Sequence, residues 1–597
     1  MELAEGAAGE FQRDASQQQA RILGRVIQCD GSRATIAVTA AGERSHEEGH
    51  WSVGKLISVS MPNTRTVGLV HEIAVDGDWK PDGANHIHVQ IDLIGEVRDD
   101  PETGQPKFDR GIGEFPHIGA VAHRIRQRDL AAIYRMGGER TLPIGNLSQD
   151  PAVEATISMQ RTLDRHFAVV GSTGVGKSTA VSLLLHKAID SRPGLRVLIL
   201  DPHNEFAAAF HGKAAVLDAE TLDLPFWMFR LEEFVEVVFR GRKGVPEEID
   251  LLRDLIPIAK HEYRGGASAS LRRSGDAVGI TADTPVPYRI ADLMRILDER
   301  MGLLESKDSR PVYRQLRQRL DAAIRDPRFR FMFGSRMIED NITEAIGRIF
   351  RVPARGKPIT CFQMAGLPSE VVNSVCSVLA RLAFDLCLWG DGRIELLLLC
   401  EEAHRYVPAD PNAGFAPTRH SLARIAKEGR KYGCYLGIVT QRPGELDPTI
   451  LSQCSTVFAM RLSNEQDQAI IRSAIADSSA SALSFLSSMG QREAIAFGDG
   501  VATPMRMKFE HLDLPQIPAS ATRLAEVAAP DREADVGLAS IVERMRNGGR
   551  DGERDDPLGL GQPQGTFVEQ RESVANLTPT TEDPPRLLRR TGDRLFG

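Results

Sequence analysis

A glycine-rich segment places the strongest constraint on how this chain folds. Residues 171–178 read GSTGVGKS, and they lie between an apolar run at 167–170 and a helical pattern that begins near 177. In such a strand–loop–helix unit, glycines let successive backbone N–H groups turn inward around a phosphate, and the helix N-terminus adds its positive end. The segment therefore predicts a nucleoside triphosphate site on an α/β sheet.

Each side chain of this loop has an expected role. Lys177 is expected to reach the β- and γ-phosphate oxygens, and the Ser178 hydroxyl to ligate Mg²⁺. The residues predicted to contact the nucleotide are Gly171, Ser172, Thr173, Gly174, Val175, Gly176, Lys177, Ser178 and Thr179.

Short apolar runs alternate with helical sequence from residue 151 to about residue 515. The runs are FAVVG (167–171), RVLILD (196–201), ITCFQM (359–364), LLLLC (396–400), YLGIVTQ (435–441) and TVFAMRL (456–462). Continuous apolar strands separated by helices favour a parallel sheet that is covered on both faces. Between about 230 and 350 amphipathic helical sequence replaces the strands, which predicts a helical subdomain inserted into the α/β core.

The remaining regions have different patterns. Residues 1–20 are polar and are predicted to be a flexible lead-in, whereas 21–98 alternate in short β-like runs that favour a small barrel, with a connector to residue 150. Residues 516–597 are predicted to be a C-terminal extension that is disordered or ordered by a partner. Its basic, apolar tip, PRLLRRTGDRLFG, is interpreted as a solvated tail, with docking onto a neighbour as the alternative.

Composition narrows the class of protein. With 597 residues, 42% hydrophobic and 26% charged, the chain is typical of a soluble multidomain protein. The first residues are not expected to be a secretion signal, the apolar runs are expected to be too short for a membrane span, and the seven cysteines form no CxxC pair. These features predict a cytoplasmic protein with no membrane partner. Because the net charge is −8, any contact with nucleic acid must be local.

Polar residues follow three of the apolar runs. Glu401 and Glu402 end LLLLC, where the first carboxylate is expected to hold Mg²⁺ and the second to polarise the attacking water. Asp201 ends RVLIL, and it is predicted to orient a water or the Lys177 region, with Glu205 behind it; a simple strand-end turn is the alternative. Gln441 ends YLGIVT, and its amide is expected to hydrogen-bond the γ-phosphate or the attacking water.

Together these motifs resemble the HerA family of RecA-like ATPases, relatives of FtsK and of type IV secretion ATPases. The resemblance rests on HFAVVGSTGVGKST, LILDPHNEF, LLLLCEEAHRYVP, the segment from ARIAKEGRKYG to STVFAMRL, and the β-rich N-terminal region. It implies a RecA-like parallel-sheet core with a small N-terminal β-barrel, ATP and Mg²⁺ as cofactors, and ATP hydrolysis. Family members usually have Asp where this chain has Glu401, which makes the metal role of Glu401 a departure from the pattern.

The resemblance also implies a homo-hexamer in which ATP binds between subunits. An arginine of one subunit then completes the neighbour's site. Arg430 is the expected finger, with Arg424 and Lys427 as rivals, and Arg165 matches a family position thought to sense nucleotide across the interface.

Double-stranded DNA would pass through the central pore of such a ring. The expected pore elements are the segments 405–419 and 211–213, since a ring multiplies each cation around the channel. The basic clusters at 240–243 and 351–357 are interpreted as solvated helix ends rather than DNA contacts.

The sequence is compatible with two functions. The first is an ATP-driven DNA translocase that works with a separately encoded NurA-type nuclease, docked on the β-barrel face, in DNA end processing. The second is an ATPase ring scaffold of an antiphage defence complex, which assembles or regulates a nuclease or a sirtuin-like NADase.

Overall fold

The computed structural model describes residues 22–41, 51–80, 84–137, 140–218, 221–264, 279–303, 310–333, 340–410, 412–473 and 485–519. The predicted lead-in and most of the predicted C-terminal extension lie outside these residues. Two sheets contain the described strands; one hydrophobic core fills the first sheet, and the second sheet has a core on each of its two faces.

The first sheet closes into a small barrel. Its strands are β1 (Ile22–Cys29), β2 (Arg33–Ala41), β3 (Leu56–Ser60), β4 (Arg65–Val75), β5 (Ala84–Asp99), β6 (Pro106–Asp109) and β7 (Val121–Arg124). Six of them close in the order β2-β1-β7-β3-β4-β5, because β5 is long enough to pair with both β4 and β2; β6 adds to β5. The predicted barrel is confirmed, although the sequence pattern did not single out β6 and β7 as strands.

The second sheet has eleven strands and holds the phosphate loop. They are β8 (Leu142–Leu147), β9 (Glu154–Ile157), β10 (Phe167–Val170), β11 (Leu195–Asp201), β12 (Ala214–Leu217), β13 (Ile359–Gln363), β14 (Glu395–Cys400), β15 (Cys434–Thr440), β16 (Thr456–Ala459), β17 (Glu493–Gly498) and β18 (Met505–Phe509). Their order is β12-β13-β11-β14-β15-β10-β16-β17-β18-β8-β9. The strands from β12 to β16 are parallel, as predicted, and the last four add in antiparallel fashion.

Helices cover this sheet and fill the interval between β12 and β13. They are α1 (Gln127–Ile133), α2 (Met159–Asp164), α3 (Lys177–Ser191), α4 (Phe206–Ala209), α5 (Leu231–Phe239), α6 (Pro246–Tyr263), α7 (Ile290–Leu303), α8 (Arg310–Arg325), α9 (Arg330–Phe333), α10 (Ile342–Phe350), α11 (Ser369–Trp389), α12 (Ala416–Glu428), α13 (Pro448–Gln453) and α14 (Glu465–Ser473). The helices α5–α10 form the predicted helical insertion.

Both faces of the large sheet are buried, because successive strand residues alternate between two cores. Leu396 and Leu398 pack into the core shared with the helical insertion, whereas Leu397 and Leu399 pack on the opposite face with α3. This explains why the strand reads as an unbroken apolar run.

Helix α11 is apolar enough over its length to span a membrane, with a mean hydropathy of 1.7, and it is the one such helix among the described residues. This helix is longer than the apolar runs that the sequence shows at its strands. In the fold, 72% of its most apolar stretch is buried inside the protein, as in the core helix of a soluble domain. Inside that core, Arg381 of α11 makes a buried ion pair of 2.8 Å with Glu233 of α5, which ties the insertion to the sheet.

Candidate nucleotide site

Four neighbouring parallel strands bring the predicted site residues to one edge of the sheet. The phosphate loop follows β10, Gln441 follows β15, Glu401 and Glu402 follow β14, and Asp201 ends β11. These strands are adjacent in the order β11-β14-β15-β10, so their carboxyl ends form one crevice.

The phosphate loop depends on glycine at specific positions. Gly174 and Gly176 have φ angles of +77° and +103°, where a side chain is strained. A Cβ at Gly171 would lie 2.8 Å from the Met460 Cβ, so the loop packs against the end of β16. Ser172 N–H donates to the Arg461 carbonyl at 2.8 Å, which fixes the loop from the same side.

Lys177 begins α3 and points back over the loop. Its Nζ donates to the Ser172 carbonyl at 3.0 Å. Burial lowers the pKa of Lys177, while the nearby carboxylates of Glu402 and Glu401 act in the opposite direction. Ser178 and Thr179 follow in the first turn of the helix, and both are half-buried.

The acidic strand end has an unusual backbone and unsatisfied oxygens. Glu402 has a φ of +49°, in the left-handed region that non-glycine residues rarely adopt. The Oε2 atoms of Glu401 and Glu402 are buried and accept no hydrogen bond among the described residues. A buried carboxylate oxygen without a donor is costly, so these atoms are suited to binding a cation or a water.

Asp201 lies beside Glu401 and accepts hydrogen bonds from two backbone amides. Its Oδ1 accepts from His203 N–H at 3.2 Å, and its Oδ2 from Phe206 N–H at 2.9 Å. Burial raises the pKa of Asp201, and burial together with the charges of Asp201 and Glu205 raises the pKa of Glu401. Two buried carboxyl groups in contact cannot both ionise readily, so the pair favours holding one proton.

Gln441 reaches the phosphate loop directly. Its Oε1 accepts a hydrogen bond from the Thr173 hydroxyl, although 268 residues separate the two positions. The contact joins the end of β15 to the loop that follows β10.

Three side chains near this crevice were not among the predicted site residues. His203 Nε2 lies 4.0 Å from Glu402 Oε1, and His404 Nδ1 lies 3.4 Å from Glu402 Oε2. Each histidine follows a strand end within a few residues, a signal that the sequence contained. Arg492 donates its backbone N–H to Val175 O at 3.0 Å and lies against Gly176; it follows no recognisable motif, and only the fold brings it there.

The predicted arginines lie at the opposite edge of the sheet. Arg165 precedes β10 and pairs with Asp499, whereas Arg430 is exposed in the 3₁₀ turn Gly429–Tyr432 before β15. The guanidinium of Arg430 makes no ion pair with another described residue. Arg424 instead packs over the Phe384 ring at 4.2 Å.

The two predicted pore segments lie far from each other in the fold. Residues 405–419 follow β14 on the nucleotide side, and Arg419 donates to the Asp410 carbonyl at 2.7 Å within that segment. Residues 211–213 precede β12 and so lie at the amino ends of the parallel strands. There Lys213 pairs with Asp190 at 3.0 Å. The two segments therefore lie at different edges of one subunit.

Metal binding is the remaining element of the site. The described residues contain no group of three or more His, Cys, Asp or Glu side chains arranged as a metal site. A nucleotide-bound Mg²⁺ does not need one, because it keeps several waters and takes ligands from phosphates. Ser178 and Glu401, with its unsatisfied oxygen, fit that mode of binding.

Comparison with known proteins agrees with this geometry. Residues 142–383 match the family model described as "Helicase HerA, central domain". The chain is 24% identical over 457 residues to the DNA double-strand break repair helicase HerA of Pyrococcus furiosus, covering 70% of this chain and 80% of that protein. It is 25% identical over 403 residues to the HerA of Saccharolobus solfataricus, covering 66% and 73%.

Among solved structures, VirB4 of Thermoanaerobacter pseudethanolicus aligns with a TM-score of 0.45 and 16% identity, covering 64% of this chain and 99% of that one. The phosphate loop and the acidic strand end are those of a P-loop ATPase, and the family match over residues 142–383 and the sequence relatives show that the chain is similar to the HerA helicases.

Proposed function

We propose that this protein is an ATP-driven DNA translocase that works as a homo-hexamer, with ATP bound between subunits. One observation carries the proposal: the nucleotide-site residues and the predicted arginines lie at opposite ends of the same strands. Arg430 precedes β15 and Gln441 follows it, and the seven residues of that strand span roughly 23 Å. An arginine at one edge therefore completes a nucleotide site only on a second copy of the chain.

Within one subunit, the residues of the crevice divide the work on ATP. The phosphate loop and Lys177 hold the β- and γ-phosphates, and Ser178 with Glu401 would hold Mg²⁺, which neutralises developing charge on the phosphate oxygens when bound. Glu402 accepts the proton of the attacking water. Gln441, already hydrogen-bonded to Thr173, orients that water or the γ-phosphate.

The neighbouring subunit supplies the positive charge that the transition state requires. Arg430 is the best placed of the three candidates, because it is exposed and makes no ion pair with the described residues. Arg424 is held by Phe384 and by Asp385 at 3.9 Å. Lys427 is exposed but lacks the planar fork that binds a phosphoryl group bidentately. Arg165 lies at the same edge and senses the nucleotide across the interface.

DNA is the proposed substrate of the motor. The names of the relatives, which describe DNA double-strand break repair helicases, support this assignment. We further propose that a separately encoded nuclease docks on the barrel face and receives the translocated DNA.

The test is the steady-state ATPase rate of the purified protein with and without linear double-stranded DNA, beside a Glu402→Gln control. A several-fold stimulation that disappears in the variant is expected. A rate that is indifferent to DNA would overturn the motor proposal and favour the alternative, an ATPase ring that assembles or regulates a defence effector.

A further inference from the structure

Part of the basic cluster at 240–243 lines a groove in the helical insertion. The groove has a volume of about 430 Å³ and lies between the end of α5 and one face of α8. Its polar lining consists of Arg240, Arg242, Gln315, Gln318 and Arg319. The sequence of this cluster predicts a solvated helix end, but the fold adds three polar side chains from a distant helix.

The spacing of residues on α8 explains how these side chains come together. Gln315, Gln318 and Arg319 recur at helical intervals of three and four, so they share one face. Leu316 and Leu320 lie on another face, where both are buried against the core. Arg240 lies opposite α8, at the end of α5. Its φ angle of +55° ends the helix and directs the following residues along the groove.

Two of the three arginines are held in place by their own chain. Arg319 Nε lies 2.9 Å from Oε2 of the fully buried Glu248, and its guanidinium covers the Phe239 ring at 4.9 Å. Arg240 Nη2 donates to the Ala322 carbonyl at 3.2 Å and pairs with Asp326 at the same distance. Ordering these side chains in advance lowers the entropic cost of binding an anion.

The other polar side chains are available for a ligand. Arg242, Gln315 and Gln318 are exposed, and their side chains make no hydrogen bond or ion pair with other described residues. No carboxylate of the described residues lines the groove, and Asp326 and Glu370 pair with Arg328 at 2.8 and 2.6 Å. The groove therefore presents the Arg242 guanidinium and two glutamine amides as unengaged donors, beside two arginines that are already paired with carboxylates.

We propose that this groove binds the phosphodiester backbone of DNA, independently of base sequence. Guanidinium groups bind phosphate oxygens bidentately, and glutamine amides add neutral donors. The groove lacks a surface on which a base could stack among the described residues, because Phe239 is only 2% exposed beneath Arg319. Phosphates rather than bases are thus its match. The proposal rests on the DNA-dependent function proposed above.

The test compares single charge reversals in DNA-binding titrations over a series of salt concentrations. Arg242→Glu places a negative charge in the groove, and Arg325→Glu makes the same change at a residue of α8 outside it. Gln318→Glu adds a carboxylate to the groove without removing a cation or an ion pair. Affinity for labelled double-stranded DNA is measured by fluorescence anisotropy.

Arg242→Glu is expected to weaken binding and to lower the slope of log K against log salt by about 0.9 for each phosphate that the protein no longer neutralises. Gln318→Glu should also weaken binding, whereas Arg325→Glu should match the wild type. The ATPase rate without DNA should be the same in all three variants, since the groove lies outside the nucleotide crevice.

If Arg242→Glu and Gln318→Glu bind DNA as Arg325→Glu does, the groove proposal fails while the motor proposal stands. If the wild type binds no DNA, both fail.

Discussion

The carboxyl ends of the parallel strands form one edge of the large sheet, called the carboxyl edge, and their amino ends form the other, called the amino edge. The two edges differ in how many of their buried polar groups have hydrogen-bond partners. At the carboxyl edge, Glu402 has a left-handed backbone, and both Glu401 and Glu402 retain buried oxygens without hydrogen bonds to the described residues. At the amino edge, His166 is buried and uses both ring nitrogens: Nδ1 accepts from Leu436 N–H at 2.9 Å, and Nε2 donates to the Ala426 carbonyl at 3.1 Å. The first edge is prepared for a ligand, whereas the second is internally satisfied and exposes arginines.

The two edges therefore differ in what they require of the fold. Parallel strands direct all their carboxyl ends to one side, so loops that carry reactive groups collect there. Under the proposed function the amino edge needs rigidity instead, because an arginine that reaches a neighbouring subunit must be held in position. His166 supplies that rigidity by joining β10 to both β15 and the end of α12.

Removal of the exposed arginine should have the largest effect. Arg430→Ala is expected to lower kcat for ATP hydrolysis about a thousandfold, the lower end of the range for arginine fingers. Mixing this variant with Glu402→Gln subunits should restore part of the activity, because mixed interfaces combine an intact Glu402 with a neighbour's Arg430. Arg424→Ala is the control and should retain the rate within a few-fold. A mixture that stays inactive would show that the two residues do not act across an interface.

Lowering the pH should reduce the free energy of unfolding through protonation of His166 at the amino edge. Burial lowers the pKa of His166 to about 4, from 6.5 for a free histidine. Between these values the unfolded chain binds a proton that the folded chain does not, so stability falls as the pH drops from 6.5 to 4, by about 3 kcal/mol. Urea unfolding of the wild type and of His166→Gln at both pH values measures the effect. The variant should lose this part of the pH dependence; equal pH dependence in both proteins would contradict the assignment.

Changes at the carboxyl edge should separate chemistry from binding. Glu402→Gln is expected to lower kcat about a hundredfold or more, because the amide cannot accept the proton of the attacking water. Its affinity for ATP should change little, as measured with a fluorescent nucleotide. Glu401→Gln should instead raise the Mg²⁺ concentration required for half-maximal activity. The same Mg²⁺ dependence in both variants would remove the distinction between the two carboxylates.

Removal of the hydrogen bond between Thr173 and Gln441 should have the smallest effect on ATP hydrolysis. Thr173→Val removes one neutral hydrogen bond, worth about 1 kcal/mol, and should lower kcat/KM roughly fivefold. Thr173→Ser keeps the hydroxyl and should restore the rate. If the serine variant is as slow as the valine variant, the side-chain methyl group and not the hydrogen bond matters.

The sequence was sufficient for the elements whose signal is local. The phosphate loop, the apolar strands that precede Glu401 and Gln441, and the helical insertion each follow from spacing and burial pattern within a short segment. The phosphate loop, Asp201, the two glutamates and Gln441 lie at the carboxyl ends of adjacent strands, as the rule for parallel sheets requires. The antiparallel strands β17, β18, β8 and β9 were not predicted, because the pairing of β18 with β8 joins segments that are more than 300 residues apart.

Other features exist only through tertiary contacts. Arg492 lies under the phosphate loop, and Gln315, Gln318 and Arg319 face Arg242, because the fold brings distant segments together. The sequence alone determined which loop is the candidate phosphate loop and which strands carry the acids, since those signals lie in neighbouring residues. The tertiary structure decided which arginines are paired within the subunit and which are exposed at the far edge, because that depends on packing between segments that no local pattern relates.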